Sequence, residues 1–499
     1  MYLELAVRTP EPGFRPETAT RHDTPLHGTS RTLNFERAFQ KTRKKDFGLL
    51  VLGNPGSGKT TLLKRIAAQA FADPDGLGIS NAVVPIPYRL ADASHDLTDL
   101  AALTECAIHA RLNQSRDDAQ ILARALLRQR ERPLLYLLDG LDEIADLDLR
   151  RTIARAVHQW QERRPERAFV VSARFAGYEP CRLPAHARFV EAQVQPLGGA
   201  QQEELVRNWF RAAFDALPNR RDAIDGRADH VLRQLARSES QQRLAQNPLM
   251  LQLLCQLALD RAPSDGDDDN SGDIPQTRAA LYGECVEAML ERARTVVDDA
   301  RDAASKPLEP EQAARFLAIA ASGLHAEVER RDAPTAFFAK QIEAFHRLPR
   351  TGDFNPRTIF PSESKTAADL LDTIYSQTSL ITPLSRDRRG RAHEHGFLHH
   401  TFQEYFTARH LAEAVKHGRG DADALLDRVA GGFGKAWWQE VLLLAMEEDD
   451  VDLFTPLMTR IARGERMEAH RMLTHACVRA AQQRTRQTMT AQVLLDALA

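Results

Sequence analysis

Four residues with the spacing of a phosphate-binding loop follow an apolar run near residue 50. Gly53, Gly58, Lys59 and Thr60 fit the pattern G-x-x-x-x-G-K-[ST] directly after Leu49 to Leu52. In such a loop, glycines let backbone N–H groups curl round a phosphate at the N-terminus of a helix. We expect Lys59 on the β- and γ-phosphates. The Thr60 hydroxyl would bind Mg²⁺, which takes only one or two protein oxygens when phosphates hold it.

An ordinary glycine-rich turn is the alternative explanation of this loop. The apolar run before it and the helical pattern after it match the strand, loop and helix that a phosphate site needs, so we favour the phosphate site. The candidate nucleotide-binding residues of the loop are Gly53, Asn54, Pro55, Gly56, Ser57, Gly58, Lys59, Thr60 and Thr61.

A group of acids follows a second apolar run about 80 residues later. Leu134 to Leu138 leads into Asp139, and Asp142 and Glu143 come next. A short apolar run that ends in acids is typical of a central parallel strand whose carboxyl end faces a ligand. We expect Asp139 to hold Mg²⁺ directly or through water, and Glu143 or Asp142 to orient and deprotonate the attacking water. Acids that only cap a helix starting near Asp146 are the alternative.

An arginine follows the next apolar strand, Ala168 to Ser172. Arg174 stands at the carboxyl end of that strand, which we expect beside the acidic one. A guanidinium there is suited to contact the γ-phosphate and respond to its loss. Spacing alone equally allows a structural arginine paired with a neighbouring carboxylate.

The elements that position these residues alternate between strand and helix up to about residue 195. This alternation predicts an α/β fold with a doubly wound parallel sheet. A polar helix is predicted from Arg31 to Lys45, and the chain after Pro196 has mostly helical patterns. The predicted domains are an N-terminal arm (1–30), a P-loop NTPase domain (31–195), a helical domain (196–305), a winged-helix domain (306–415) and a C-terminal all-α segment (416–499).

The winged-helix prediction depends on three helices and a basic hairpin. The helices are predicted at Glu309 to Glu327, Thr335 to Phe345 and Ala367 to Gln377, and the strands at Leu380 to Leu384 and Phe397 to His400. Arg386 to Arg391 join the strands and carry four arginines. These side chains are candidates for contact with nucleic-acid phosphates, although charged hairpin tips are commonly only solvated.

Composition excludes several classes of protein. The 499 residues suggest about three domains, and 66 basic against 69 acidic residues give a net charge of −3, which does not favour nucleic acid or anionic membrane globally. Five scattered cysteines without a C-x-x-C pair argue against a disulfide framework and a zinc site. No leader opens the chain, and no apolar run approaches the roughly 18 residues that span a bilayer. We therefore expect a cytoplasmic protein.

Three separated stretches resemble the NACHT proteins, signal-transducing NTPases of the STAND class that include animal NLR receptors and bacterial relatives implicated in anti-phage defence. These stretches are Gly53 to Leu63, Leu134 to Glu143 and Phe397 to Phe406. Asn247 to Leu251 and Thr277 to Tyr282 also resemble the helical domain of that family. The resemblance extends over about residues 31 to 450, with the five motifs in order.

The resemblance implies ATP or ADP with Mg²⁺ as ligands and assigns further residues to the site. Pro248 is implied near the adenine, His399 on the β-phosphate of ADP, and Arg174 as a sensor of the phosphates. From the residues alone, a histidine on a strand beside aromatic residues fits a structural role, and the resemblance favours the ligand role for His399. His400 alternates to the other face of the predicted strand and is the weaker candidate.

The function implied by the resemblance is a molecular switch with slow, regulatory ATP hydrolysis. ADP would hold the domains closed, and exchange for ATP would favour an open form that forms homo-oligomers, in bacterial anti-phage immunity or signalling. The trigger is unknown, and no nuclease, protease or membrane effector is recognisable. We therefore expect that a separate effector protein supplies the output, that the terminal segments are themselves the signalling surfaces, or that the chain is a fragment. The alternatives are a winged-helix transcription regulator that binds DNA and a freely turning-over ATPase.

Overall fold

The structure is a computed structural model of the 499-residue chain. The chain divides into two compact units, Met1–Asn208 with Gln246–Leu249 and Trp209–Ala245 with Met250–Ala499. The structure describes residues 6–10, 30–34, 37–40, 48–77, 83–94, 97, 99–112, 115–129, 132–144, 146–164, 167–184, 187–217, 224, 226–237, 239–260, 275, 277–299, 310–348, 366–367, 371, 374–375, 380–386, 392–463 and 470–482.

The first unit is built on a seven-stranded sheet. Its strands are β1 (Ala6–Pro10), β2 (Ser30–Asn34), β3 (Gly48–Leu52), β4 (Val84–Arg89), β5 (Leu134–Asp139), β6 (Ala168–Ala173) and β7 (Phe189–Val194). They lie in the order β2-β1-β7-β3-β6-β5-β4. The five strands from β7 to β4 are parallel, and β1 runs antiparallel to both β2 and β7. Strand β6 thus separates β3, which precedes the phosphate loop, from β5, which ends in Asp139.

Helices cover both faces of this sheet. They are α1 (Lys59–Ala72), α2 (Leu100–Leu112), α3 (Arg116–Arg128) and α4 (Leu147–Arg163). Helix α5 (Gly199–Ala216) follows and belongs to the second unit from Trp209 onward. Leu50 and Tyr136 on one face join a single apolar cluster with side chains of α2 and α4. Leu49 and Leu135, which point to the opposite face because strand side chains alternate, are buried as well. A sheet buried on both faces is the doubly wound α/β arrangement predicted from the sequence.

The N-terminal part of the chain differs from the prediction. The helix predicted from Arg31 to Lys45 is wrong over its first residues, because Ser30–Asn34 form a strand. Strand β1 pairs with β2 over its whole length, and its Val7 lies opposite Val194 of β7. Strand preference depends on the neighbours a segment finds in the fold, and here β1 supplies them. Residues 6–10, expected in a separate arm, thus belong to the sheet.

The second unit is mainly helical, and among the described residues no helix is both long and apolar enough to cross a membrane. Its helices are α6 (Arg227–Arg237), α7 (Glu239–Ala245), α8 (Pro248–Asp260, from Met250 onward), α9 (Arg278–Asp299), α10 (Pro310–Gly323), α11 (Thr335–His346), α12 (His400–Lys416), α13 (Ala422–Gly431), α14 (Ala436–Met446), α15 (Phe454–Arg463) and α16 (Arg471–Gln482).

A small antiparallel sheet lies among these helices. It consists of β8 (Asp332–Pro334), β9 (Ile381–Arg386) and β10 (Ala392–Phe397), in the order β8-β10-β9. The two helices predicted before it are present as α10 and α11. The third predicted helix, Ala367 to Gln377, and the tip of the basic hairpin after Arg386 lie largely outside the described residues. The winged-helix domain therefore stays a prediction.

The strand predicted from Phe397 to His400 is wrong. Strand β10 ends at Phe397, and α12 begins at His400. His399 is the N-cap residue of α12, and its Nδ1 accepts a hydrogen bond from the Thr401 N–H at 3.2 Å. This bond satisfies one of the backbone donors that a helix start leaves open, and so favours a cap at this position over a further strand residue.

A buried ion cluster joins α9 to α14 and the turn after it. Arg278 pairs with Glu440, and its Nη2 lies 2.6 Å from Oε1 of Glu447. Glu447 also accepts the backbone N–H groups of Arg278 and Ala279, at 2.9 and 3.1 Å, and so caps the start of α9. Four residues on, the Tyr282 ring contacts those of Phe402 and Tyr405 on α12.

Candidate nucleotide-binding site

The loop between β3 and α1 has a backbone that requires glycine. Gly56 and Gly58 have φ angles of +72° and +90°, which glycine adopts without the steric cost of a Cβ. A Cβ on Gly53 would lie only 2.6 Å from Oγ of Ser57, so a larger residue there would have to displace this hydroxyl. The loop therefore has the close-packed, left-handed turns in which backbone N–H groups form an anion cradle.

The Ser57 hydroxyl supports the fit of a phosphate to this loop. Its Oγ is buried and has no hydrogen-bond partner among the described residues. A buried hydroxyl without a partner destabilises a protein by about 1–3 kcal/mol. An anionic oxygen bound in the cradle would accept its hydrogen and remove this penalty.

Lys59, the first residue of α1, folds back over the loop. Its Nζ donates hydrogen bonds to the carbonyl oxygens of Gly53 at 2.9 Å and Asn54 at 3.0 Å. Burial lowers the pKa of Lys59 to about 8; smaller effects come from Asp142, which raises it, and Arg174, which lowers it. The protein thus holds a desolvated cation whose charge its neighbours do not fully balance, as expected where an anion binds.

The Mg²⁺ candidates are in direct contact. Thr60 Oγ1 donates to Oδ2 of Asp139 at 2.8 Å, across 79 positions of sequence. The Ser172 hydroxyl donates to the other carboxylate oxygen, Oδ1, and accepts the N–H of Gly140 at 2.8 Å. Two hard oxygen ligands at this edge of the sheet fit a Mg²⁺ ion that phosphates also hold. Ser172 was not predicted as a site residue; its one signal in the sequence is a serine within the apolar run of β6.

Asp142 and Arg174 are paired, as one of the two alternatives from spacing allowed. Arg174 Nε lies 3.3 Å from Oδ2 of Asp142, and its backbone N–H donates to Oδ1 at 2.9 Å. Asp142 is 7% exposed and packs so closely on Gly177 that a Cβ there would lie 2.1 Å from Cβ of Asp142. Because Asp142 is buried and bonded in this way, it orients Arg174. The next acid, Glu143, lies against Gly140, which has a φ of +78°.

A buried arginine that sequence analysis did not consider joins two of these loops. Arg150 on α4 is 3% exposed, and its Nε donates to the Ile144 carbonyl at 2.8 Å. Its Nη1 donates to the Gly177 carbonyl at 3.1 Å, so it connects the acidic loop after β5 to the turn after β6. Burial lowers the pKa of Arg150. From the sequence alone, a buried arginine in a polar helix such as α4 cannot be distinguished from an arginine exposed to solvent.

The start of α8 contacts the phosphate loop. Asn247 Nδ2 donates to the Pro55 carbonyl at 2.7 Å, across 192 positions of sequence. The Leu249 N–H lies 3.3 Å from the Gly56 carbonyl and 3.0 Å from Oδ1 of Asn247. Pro248, carried over from the resemblance, is thereby held between two residues that bind the loop. His399 belongs to the second unit, whereas the other candidate residues lie in the first.

Residues 48–213 match the family model described as the NACHT domain. The chain contains a NACHT domain. This match confirms the resemblance over residues 48–213, which include β3 to β7, the phosphate loop, the acidic loop and Arg174. A NACHT domain is a P-loop NTPase, so the protein belongs to this class of nucleotide-binding enzymes.

Solved structures resemble this chain only loosely. The Orc1 protein of Aeropyrum pernix in complex with DNA has a TM-score of 0.31 at 15% identity, covering 75% of this chain and 91% of its own. Drosophila ORC bound to DNA has a TM-score of 0.28 at 14% identity, and the match covers 74% of this chain and 84% of that one. Cdc6p from Pyrobaculum aerophilum has a TM-score of 0.27 at 15% identity, and the match covers 78% of this chain and 97% of that one. Among curated proteins, no sequence matches this chain.

Proposed function

We propose that this NACHT chain is a molecular switch that rests with ADP bound and is activated by exchange for ATP. The observation that carries the proposal is the pair of hydrogen bonds from Asn247 and Leu249 to the phosphate loop. They join the nucleotide loop to the first turn of α8, the helix in which the chain returns to the second unit at Met250. A ligand that contacts the loop differently before and after exchange would therefore favour different conformations.

Each site residue has a separate role in nucleotide binding or hydrolysis. Lys59 and the loop N–H groups bind the β- and γ-phosphates, and Thr60 with Asp139 hold Mg²⁺, which when bound neutralises phosphate charge. Glu143 orients and deprotonates the attacking water, since Asp142 is committed to Arg174. Arg174 responds to loss of the γ-phosphate, and Pro248 packs near the adenine.

The wider features of the proposal come from the resemblance to the family. His399 contacts the β-phosphate of ADP and keeps the resting form closed, and ATP favours homo-oligomers. Hydrolysis is slow and resets the switch. The protein acts in the cytoplasm, consistent with its free cysteine thiols, in bacterial anti-phage immunity or signalling, with a trigger and an effector that are separate molecules.

The nucleotide content and the mass of the purified protein, with and without ATP, test the proposal. We expect co-purified ADP, a monomer without ATP, a larger assembly with ATP, and slow hydrolysis. Lys59→Ala should lose the nucleotide; wild-type ADP occupancy in that variant would contradict the site. Rapid hydrolysis without a trigger would favour a freely turning-over enzyme. Salt-sensitive duplex binding that is lost when the arginines from Arg386 to Arg391 become serine would favour a DNA-binding regulator.

A further inference from the structure

The peptide between Pro55 and Gly56 is one whose plane can rotate, because a glycine with a positive φ follows it. The φ of +72° at Gly56 is open to glycine without strain, so rotation of the neighbouring peptide plane meets little steric resistance. A phosphate needs the N–H groups of the loop turned toward it. A peptide rotated by half a turn would present a carbonyl oxygen to the phosphate instead.

Asn247 holds this peptide from outside the loop. Its Nδ2 donates to the Pro55 carbonyl at 2.7 Å. Because the peptide is planar and trans, the N–H of Gly56 must point away from Asn247. The next carbonyl, that of Gly56, accepts the Leu249 N–H at 3.3 Å. Two successive carbonyls of the loop are thus bound by the same short segment.

The contact is close-packed and has a defined orientation. A Cβ on Gly56 would lie 2.8 Å from Oδ1 of Asn247 and 2.9 Å from Cβ of Leu249. The same Oδ1 accepts the Leu249 N–H at 3.0 Å, which leaves Nδ2 as the donor to Pro55. The amide therefore uses its two ends for different tasks, one capping α8 and the other holding the loop.

We propose that Asn247 is a positioning residue for phosphate binding: by holding the Pro55 carbonyl, it keeps the Gly56 N–H turned to the phosphate side and slows the release of ADP. The proposal rests on the nucleotide site proposed above and adds a residue that is outside the loop and 192 positions from it. It also gives α8 a direct effect on nucleotide release, because a shift of its first turn frees the peptide.

The substitution Asn247→Asp separates the two tasks. Aspartate keeps the oxygen that caps α8 and removes the donor to Pro55, placing a carboxylate opposite a carbonyl. We expect ADP labelled with a fluorescent mant group to dissociate about tenfold faster, the effect of one lost hydrogen bond near an anion. The affinity for adenosine, which has no phosphate, should stay unchanged, whereas a general loosening of the site would lower both.

Two further variants control for folding. Asn247→Ser keeps a capping oxygen but is too short to reach Pro55, and should accelerate ADP release in the same direction. Asp99→Ala removes the cap of α2, where Asp99 accepts the N–H groups of Ala101 and Ala102 at 2.8 Å each, and should leave ADP release unchanged.

The outcomes distinguish the inference from the proposed function. Unchanged ADP dissociation in Asn247→Asp and Asn247→Ser would overturn the role of Asn247 and leave the switch intact. An equal loss of ADP and adenosine binding would overturn it too, since the effect would then not act through phosphate. A wild-type protein that bound no mant-ADP would overturn the proposed function and this inference together.

Discussion

Two cations at the starts of helices, one in each unit, have opposite electrostatic surroundings. Burial lowers the pKa of Lys59 to about 8, and nearby carboxylates only partly oppose it. Burial also acts to lower the pKa of Arg278, but Glu440 and Glu447 outweigh it and raise that pKa. Glu440 and Glu447 balance the charge of Arg278 within the protein, so the role of Arg278 is structural. The charge of Lys59 is not fully balanced by its neighbours, which favours the binding of an anion from solution.

Replacing Arg278 should give the largest effect. Arg278→Met leaves Glu440 and Glu447 buried without their cation, so we expect the second unit to lose about 3–5 kcal/mol of unfolding free energy. Urea unfolding measures this when the fluorescence of Trp437 and Trp438 is followed in a background with Trp160 and Trp209 replaced by phenylalanine. As a control, Arg347→Met breaks an exposed pair and should cost at most about 1 kcal/mol. Equal losses in both variants would mean that the buried cluster is not structural.

Replacing Lys59 should separate binding from stability. Lys59→Met should weaken ADP binding at least about 100-fold, because one charge-assisted contact to phosphate in a desolvated site is lost. The ligand-free protein should be no less stable, since the variant also removes a buried charge. Calorimetric titration and thermal unfolding measure the two effects. Lys64→Met, an exposed lysine on the same helix, should change neither; a stability loss in Lys59→Met alone would make Lys59 structural like Arg278.

The pH dependence of ADP affinity follows from the lowered pKa of Lys59. Between about pH 8 and 10.5 this lysine keeps its proton in the unfolded chain but not in the ligand-free folded one, so its contribution to stability rises with pH in that window. Binding needs the charge, so affinity should fall by up to about tenfold per pH unit above 8. Lys59→Arg, which stays charged, should give a flat profile; an equally steep profile there would assign the titration to another group.

The sequence predicted those parts of the site that depend only on the conformation of a short segment of chain. The spacing of Gly53, Gly58 and Lys59 encodes a strand, a turn and a helix, and the structure has β3 end at Leu52 and α1 begin at Lys59. Strand β6, which precedes Arg174, lies beside the acidic strand β5 as expected. Arg174 and the acids are close together because parallel strands of an α/β sheet end at one edge.

The remaining parts depend on tertiary contacts that the sequence does not display. Ser172 matters because β6 places its hydroxyl beside Asp139, and Asn247 because α8 starts next to a loop 192 positions away. Ser30–Asn34 are a strand only because β1 lies beside them. The sequence from Phe397 to His400 does not show where the strand ends, and the bond to the Thr401 N–H makes His399 a helix cap.

Ser172→Ala should produce a smaller effect than the loss of charge at Lys59. Without this hydroxyl Asp139 loses one of its two hydroxyl donors, and the Gly140 N–H loses its acceptor. We expect Mg²⁺ affinity in the presence of ADP to fall about fivefold, the effect of one net hydrogen bond of about 1 kcal/mol. ADP binding without Mg²⁺ should not change. A loss that is the same with and without Mg²⁺ would show that Ser172 supports the sheet rather than Asp139.

His399 gives the smallest and most selective test, because its capping role and its proposed ligand role are separable. Asparagine is a good N-cap, so His399→Asn should keep α12 as stable as in the wild type while removing the imidazole. We expect ADP to dissociate about threefold faster, the effect of one weak polar contact of a fraction of a kcal/mol. His393→Asn, an exposed histidine on β10, is the matched control. An unchanged rate in His399→Asn would restrict this histidine to capping α12, so that it would resemble Arg278 in role rather than Lys59.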